Sequence, residues 1–335
     1  MRQSVIGKLL QRGDRERIRA SPGPQRAGLG PTSLVLEVSH LSIAYGSVEA
    51  VRGLDFRIDN GECFALVGES GCGKSTVARS ILGLLPRGAI ATGSIRVCGR
   101  EVVGASLREL RAMRGQLVGY VAQDPFAACD PLRTVGHHVE EAWRATGQRI
   151  PGDDAVSSRL TVLGIDNAAA RVRNRPHQWS GGMLQRATIA AATVHGPSLT
   201  IADEPTTALD ADLAAGVLTA LREASSSLLL VSHDLRLVAR HADRVAVIYA
   251  GRIVEMGPSR RVLEHPRHPY TQALIAASPR PGHGMPIELA GAPPVLTKLS
   301  TGCAFASRCR HAMPRCQTTD PALIEDVACL FVNDQ

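Results

Sequence analysis

The most constraining feature of the sequence is a glycine-rich segment at residues 68–76, Gly-Glu-Ser-Gly-Cys-Gly-Lys-Ser-Thr. Its spacing of glycines before Gly-Lys-Ser matches a loop that wraps the phosphates of a nucleotide. Residues 63–67 precede it as a predicted buried strand, and residues 77–82 follow it as a predicted helix. Glycines let backbone N–H groups curl around phosphate oxygens, and the start of a helix favours negative charge. The segment therefore predicts an α/β fold built around a nucleotide site.

Two side chains of this segment have predicted roles in the site. Lys74 can reach the β- and γ-phosphates, and the Ser75 hydroxyl can ligate Mg²⁺. The alternative is a chance glycine-rich turn, which the flanking strand and helix disfavour. We therefore predict nucleotide binding by the whole segment, with Lys74 also in a catalytic role. The predicted contacts are Gly68, Glu69, Ser70, Gly71, Cys72, Gly73, Lys74, Ser75 and Thr76.

The net charge of +7 is unevenly distributed. Residues 1–33 hold seven Lys and Arg against two acids, so most of the excess lies in a Gly/Pro-rich segment that we predict to be a disordered basic tail. The rest of the chain is nearly balanced and does not require a nucleic-acid partner. It also lacks an apolar run of about 18 residues, so no membrane-spanning helix is predicted. The length suggests about two domains.

Three polar residues follow predicted buried strands later in the chain. Asp203 and Glu204 follow residues 199–202, and His233 follows residues 228–231. Asp203 can hold Mg²⁺ through water, while Glu204 can polarise an attacking water. A solvated acidic turn is the alternative, and two acids after an apolar strand disfavour it. His233 could contact the γ-phosphate, and a structural histidine is its alternative.

Two weaker signals flank this set. Tyr45 ends an apolar–polar run within residues 34–62, a predicted antiparallel β region, and could stack on adenine or simply pack on the surface. Ser180, Gly181 and Gly182 begin a predicted helix of small residues. The free N–H groups of such a helix start could bind a second anion, and a flexible hinge is the alternative.

The order of these features resembles the nucleotide-binding subunits of ATP-binding cassette (ABC) transporters across residues 34–262. The resemblance implies a P-loop cassette fold with an antiparallel β subdomain and a helical insertion, here residues 124–178. It implies ATP as substrate and Mg²⁺ as its counterion. ATP would lie between the phosphate loop of one subunit and the signature, Ser180–Gly182, of a second subunit, in a homodimer or a heterodimer.

The resemblance also implies a role for each motif residue. Tyr45 would stack on adenine, and Gln123 would be the glutamine of the Q-loop. Asp203 and Glu204 would be the Walker B aspartate and the catalytic glutamate, with His233 as the switch histidine. The implied nucleotide contacts outside the loop are Tyr45, Gln123, Ser180, Gly181, Gly182 and Asp203. The implied Mg²⁺ contacts are Ser75, Gln123 and Asp203.

A narrower resemblance rests on residues 176–178 and 268–271 and on the cysteine-bearing tail. These are similar to the oligopeptide/dipeptide/nickel importers, which implies an extension over residues 263–335. Trp179 and Leu184 depart from the usual residues of that subfamily, which leaves local packing open. The implied function is an ATPase that powers uptake of peptides, or of nickel, through two permease subunits and an extracytoplasmic solute-binding protein. The implied location is the cytoplasmic face of the membrane.

Half of the eight cysteines lie near the end of the chain, at positions 303, 309, 316 and 329. In a cytosolic protein such a set suggests metal before disulfides. No pair has the short spacing usual in zinc sites, and with the resemblance this favours a [4Fe–4S] cluster over Zn²⁺. Reduced cysteines packed as small hydrophobes are the remaining alternative. The predicted ligands are Cys303, Cys309, Cys316 and Cys329. We expect only a structural role, because the tail is remote in sequence from every ATP motif.

Three other functions share parts of this motif set. A soluble cassette ATPase of DNA repair or translation would carry the same nucleotide motifs, although the His-Pro-Tyr segment at residues 268–270 favours a transporter. An exporter is usually fused to membrane helices, which are not predicted here. The region after residue 262 could also serve purely as a structural or regulatory binding module.

Overall fold

Two β-sheets organise the part of the chain that the computed structural model describes, residues 34–150, 152–207, 209–278, 289, 291–294, 296–298 and 301–334. The predicted basic tail, residues 1–33, lies outside this part. The strands are β1 (Leu34–Tyr45), β2 (Val48–Asp59), β3 (Cys63–Val67), β4 (Ala89–Val97), β5 (Arg100–Glu101), β6 (Val118–Val121), β7 (Leu199–Asp203), β8 (Leu228–Val231), β9 (Arg244–Tyr249) and β10 (Arg252–Pro258).

Helices connect these strands and cover the larger sheet. They are α1 (Lys74–Ile81), α2 (Leu107–Met113), α3 (Val135–Ala145), α4 (Asp153–Val162), α5 (Ala168–Arg171), α6 (Gly181–Thr193), α7 (Ala211–Ala224), α8 (Leu235–His241), α9 (Ser259–Glu264), α10 (Pro269–Ala277) and α11 (Leu330–Asn333). Short 3-10 turns lie at Pro176–Gln178, Leu296–Lys298, Ala306–Arg308 and Pro314–Gln317. Within the described ranges, no helix is both long and apolar enough to cross a membrane.

The smaller sheet is antiparallel and has the strand order β2-β1-β4-β5. β1 pairs with β2 as a hairpin and with β4 on its other side. Apolar residues alternate along β1 and β2 because one face of the sheet packs on a core while the other meets solvent. The antiparallel region predicted at residues 34–62 is therefore confirmed.

The larger sheet has the order β10-β9-β3-β8-β7-β6, and all its pairs except β9–β10 are parallel. Every residue of β3, β7 and β8 is buried, which explains why these strands read as continuous apolar runs. The ends of parallel strands meet at one edge of a sheet. The residues that follow β3, β6, β7 and β8 are therefore brought together there.

β3 separates two hydrophobic cores. Cys63, Ala65 and Val67 face a core formed with the helices, whereas Phe64 and Leu66 face a core formed with the antiparallel sheet and α1. This division follows from the two-residue period of a strand. The phosphate-loop segment begins where β3 ends, so its first residue follows a strand that is buried on both faces.

The predicted helical insertion is confirmed as α3, α4 and α5. The departures from the subfamily pattern fit this packing: Trp179 is 4% exposed and Leu184 is fully buried in the helical core. The tail at the end of the chain covers the outer edge of β10, where the Met256 N–H donates to the Asp326 carbonyl and the Ala328 N–H donates to the Val254 carbonyl. Asp320 also pairs with Arg252.

Candidate nucleotide site

The phosphate loop is seated tightly between β3 and α1. Gly68, Gly71 and Gly73 have φ of 152°, 79° and 106°, in the region that favours glycine. A Cβ at Gly68 would lie 2.2 Å from the Ile248 carbonyl oxygen, and one at Gly73 would lie 2.6 Å from that of Ala50. These close approaches explain why the loop requires glycines at its first and sixth positions.

Lys74 begins α1, yet its side chain turns back across the loop. The residue is 4% exposed, and its Nζ donates to the carbonyl oxygens of Gly68 at 2.8 Å and Glu69 at 2.9 Å. The Cys72 sulfur lies 3.8 Å from the same nitrogen. Burial raises the pKa of the Cys72 thiol. The loop therefore presents one buried cation among backbone dipoles, beside a neutral thiol.

Ser75 and Asp203 are brought together from α1 and the end of β7. The Ser75 hydroxyl donates to Asp203 Oδ1 at 2.9 Å. Burial raises the pKa of the Asp203 carboxyl, and the hydrogen bond from Ser75 opposes that shift. A hydroxyl beside a carboxylate supplies the hard oxygen ligands that Mg²⁺ prefers. Two of the three predicted Mg²⁺ contacts therefore lie together.

Three predicted residues meet at Glu204. Its Oε2 lies 3.4 Å from Gln123 Nε2 and 3.2 Å from His233 Nδ1, and it accepts from the Thr207 hydroxyl at 3.0 Å. The Glu204 backbone has φ of 48°, and its N–H donates to the Val231 carbonyl at 2.9 Å. This left-handed turn directs the carboxylate toward residues that follow β6 and β8. Gln123, Glu204 and His233 thus form one polar cluster, as the strand order predicts.

The predicted adenine and signature residues are placed elsewhere. Tyr45 is half-buried at the end of β1 against the core of the antiparallel sheet. The Ser180 hydroxyl accepts from the Met183 N–H at 3.3 Å and caps α6, whose first turn contains Gly181 and Gly182. Across the described residues, no hydrogen bond or ion pair joins Tyr45 or Ser180–Gly182 to the phosphate loop. Their assigned roles stay predictions.

Sequence reasoning missed two residues that contact the phosphate loop. The Tyr270 hydroxyl accepts from the Glu69 N–H at 2.9 Å. The Arg308 guanidinium donates to both carboxylate oxygens of Glu69, at 2.7 and 3.1 Å. The tail is remote from the ATP motifs in sequence, but Arg308 brings it into contact with the phosphate loop in the folded chain. Tyr270 belongs to a segment that the resemblance singled out, whereas no sequence pattern marked Arg308.

The tail cysteines are all free thiols. The Cys303 N–H donates to the Cys316 carbonyl at 2.8 Å. Burial raises the pKa of the Cys303 thiol to about 11, although a hydrogen bond with the Phe305 backbone opposes that shift. Among the residues described, no three His, Cys, Asp or Glu side chains are arranged to hold a metal ion. The predicted metal site therefore stays a prediction.

Two family models match the sequence. The ABC transporter model matches residues 51–207, and the model described as oligopeptide/dipeptide transporter, C-terminal region, matches residues 254–316. Among solved structures, a post-hydrolysis ATP-binding cassette, MJ0796, is 23% identical with a TM-score of 0.59, covering 67% of this chain and 99% of its own. CbiO1 from Clostridium perfringens is 26% identical with a TM-score of 0.59, covering 69% of this chain and 91% of its own.

Curated relatives extend the match through the C-terminal region. The dipeptide transport ATP-binding protein DppD of Bacillus subtilis is 40% identical over 303 residues, covering 86% of this chain and 90% of DppD. The oligopeptide transport ATP-binding protein OppD of Mycobacterium tuberculosis is 40% identical over 308 residues, covering 88% of this chain. This chain spans 50% of that OppD. With the loop, the Ser75–Asp203 pair and the Glu204 cluster, these matches show that the chain belongs to the ATP-binding proteins of ABC transporters.

Proposed function

We propose that this chain is the ATP-hydrolysing subunit of an importer that takes up dipeptides or oligopeptides. The observation that carries the hydrolytic part is the meeting of Gln123, Glu204 and His233 beside the Ser75–Asp203 pair. The transport part is supported by relatives named for dipeptide and oligopeptide transport and by the matching C-terminal region. Those names favour peptides over nickel as the solute.

Each polar group of the site has a task in this function. Lys74 binds the β- and γ-phosphates. Glu204 accepts a hydrogen bond from the attacking water and so polarises it. His233 contacts the γ-phosphate and orients Glu204 from 3.2 Å. Ser75, Asp203 and Gln123 would hold Mg²⁺, which neutralises charge on the phosphate oxygens. The site acts chiefly by positioning and electrostatics, as phosphoryl transfer requires.

A second subunit completes the site in this proposal. The signature start, Ser180–Gly182, caps α6 within its own subunit and makes no polar contact with its own phosphate loop in the described part of the chain. Its helix N-terminus would therefore meet the γ-phosphate held by the partner's loop. Tyr45 would stack on the adenine of the ATP bound to its own loop. The partner is a second copy or a related cassette.

The other partners and the location of the chain follow from the proposed importer function. Two permease subunits would dock at the helical insertion next to Gln123, and this region would pass the movement of the cassette to them. A solute-binding protein would supply peptide from outside. The chain would then sit peripherally on the cytoplasmic face of the membrane. We place the cassette at residues 34–262 and the extension at residues 263–335.

The four tail cysteines are proposed to hold a [4Fe–4S] cluster, with Zn²⁺ as the alternative. Thiolate is the ligand type that both groups require, and the Cys303 N–H already donates to the Cys316 carbonyl at 2.8 Å, which brings two of the four residues together. Anaerobically purified protein should be brown and lose its colour in Cys316→Ser, while Cys98→Ser, outside the tail, should keep it. Stoichiometric zinc in colourless protein would support the alternative, and the absence of both metals would refute the site.

Glu204→Gln tests the function as a whole. The change keeps shape and hydrogen bonding but removes the base, so ATP should still bind while hydrolysis falls by about 10²-fold or more. The matched control is Glu223→Gln on the exposed face of α7, which should hydrolyse normally. Cells lacking the gene should lose uptake of one peptide class, and wild type but not Glu204→Gln should restore it. Normal uptake with a defect in DNA repair or translation would instead favour a soluble cassette ATPase.

A further inference from the structure

Glu69, the second residue of the phosphate loop, is held at all of its polar groups. Its N–H donates to the Tyr270 hydroxyl at 2.9 Å, and its carbonyl accepts from Lys74 Nζ at 2.9 Å. Its carboxylate accepts two bonds from Arg308, at 2.7 and 3.1 Å. Lys74 belongs to the loop, as does Cys72, whose N–H also donates to the Glu69 carbonyl at 3.4 Å, whereas Tyr270 and Arg308 belong to the C-terminal region. The start of the loop is thus fixed from outside the cassette motifs.

The Arg308–Glu69 pair is shielded from solvent. The Arg308 side chain is 4% exposed and that of Glu69 is 22% exposed. The guanidinium also donates to the Tyr249 hydroxyl at 3.3 Å and lies 5.9 Å from the centre of that ring. A paired fork in such surroundings is stronger than a surface ion pair and is screened little by salt.

Aromatic packing fixes the two C-terminal residues that contact Glu69. The rings of Tyr249, Tyr270 and Phe305 form a cluster, with centroid distances of 4.5, 5.3 and 5.4 Å. Tyr270 is fully buried and Phe305 is 3% exposed. Phe305 precedes the 3-10 turn that ends at Arg308. The packing of its ring therefore fixes the position of the turn that carries the guanidinium.

A carboxylate at this place opposes the function of the loop. Glu69 lies next to a segment that must receive the negative charge of a triphosphate, and an unpaired carboxylate there would repel it. Arg308 supplies the compensating positive charge, and its guanidinium is bound to the Glu69 carboxylate. We propose that Arg308 is a positioning residue for ATP binding, which acts through Glu69 by cancelling its charge beside the phosphates. This inference rests on the proposed function, because it assumes that the loop binds ATP.

The test measures the dissociation constant of Mg–ATP for the full-length chain. Arg308→Gln should weaken binding about tenfold, because the Glu69 charge is left uncompensated. Arg308→Lys keeps the charge without the fork and should stay within about threefold of wild type. The matched control is Arg310→Gln, whose side chain is exposed and contacts Gln272 and His311 instead. That control should bind like wild type.

The double variant Glu69→Gln/Arg308→Gln separates charge from packing. It removes the carboxylate together with the guanidinium, so affinity should return to within about threefold of wild type if charge cancellation is the cause. Equal weakening in the single and double variants would overturn the proposal, and so would Arg308→Gln binding with wild-type affinity. Thermal unfolding of each variant identifies loss of fold, and the double variant remains informative where Arg308→Gln alone unfolds.

Failure of this inference is distinguishable from failure of the proposed function. The dissociation constant needs neither hydrolysis nor a permease. Wild-type protein that does not bind Mg–ATP refutes the function and, with it, the inference. Wild-type protein that binds Mg–ATP with the same affinity as Arg308→Gln refutes the inference and leaves the function standing.

Discussion

At the scale of single residues, the placement of three predicted site residues follows from one rule of α/β sheets. Gln123, Glu204 and His233 come after parallel strands, so the sheet itself brings them to one edge. What the sequence could not reveal is the conformation that aims Glu204, with φ of 48°. A left-handed glutamate has no sequence signal, since that region of φ favours glycine or asparagine. The meeting of these residues at one edge of the sheet was predictable, but their mutual orientation was not.

Thr200 illustrates a cost in stability, because it is a polar residue within the buried run Leu199–Ala202 of β7. The residue is fully buried in β7, and its hydroxyl has no hydrogen-bond partner among the described residues. Thr200→Val removes the unsatisfied hydroxyl and keeps the shape. It should raise the free energy of unfolding by about 1 kcal/mol. Chemical denaturation of the two proteins checks this, with Thr92→Val at an exposed position of β4 as a control for strand propensity. A loss of stability in Thr200→Val would show that the hydroxyl is satisfied.

At the scale of elements, the sequence marks some helix starts and not others. Ser106 and Glu109 match the capping-box pattern in the sequence, and the box is present at the start of α2. α10 begins differently, because the Nδ1 of buried His268 accepts the Tyr270 N–H at 3.0 Å. Histidine is an uncommon cap, so no capping pattern in the sequence marks this helix start. The hydroxyl of Tyr270 that holds Glu69 depends on this helix start.

The cap makes α10 sensitive to acid. Burial lowers the pKa of His268 from 6.5 to about 4, so the unfolded chain takes up the proton before the folded chain does. Stability from this group is complete above about pH 6.5 and is lost as the pH falls to about 4, by up to about 3 kcal/mol. His268→Asn keeps a capping oxygen and removes the titration. Its unfolding free energy should vary less between pH 6.5 and 4 than that of wild type. An unchanged pH profile would rule out His268 as the source.

At the scale of the whole molecule, sequence distance limited what could be predicted. The cassette was readable because its motifs are local and recur in a fixed order. The contact between Arg308 and Glu69 spans 239 positions. Charged residues are common in the tail, so nothing in the pattern distinguishes Arg308 from its neighbour Arg310. Such a contact is visible only once the tail is folded against the loop.

The cover over β10 has a further consequence, for solubility. An exposed outer strand offers a row of unpaired N–H and C=O groups to any other chain, and edge-to-edge pairing leads to aggregation. Here the backbone around Val327 occupies part of that row opposite Glu255. Truncating the chain before this segment would therefore remove the cover of β10 as well as the cysteines. It would expose the unpaired backbone groups at the edge of β10. A cassette truncated to its ATP motifs should therefore self-associate under conditions in which the intact chain does not.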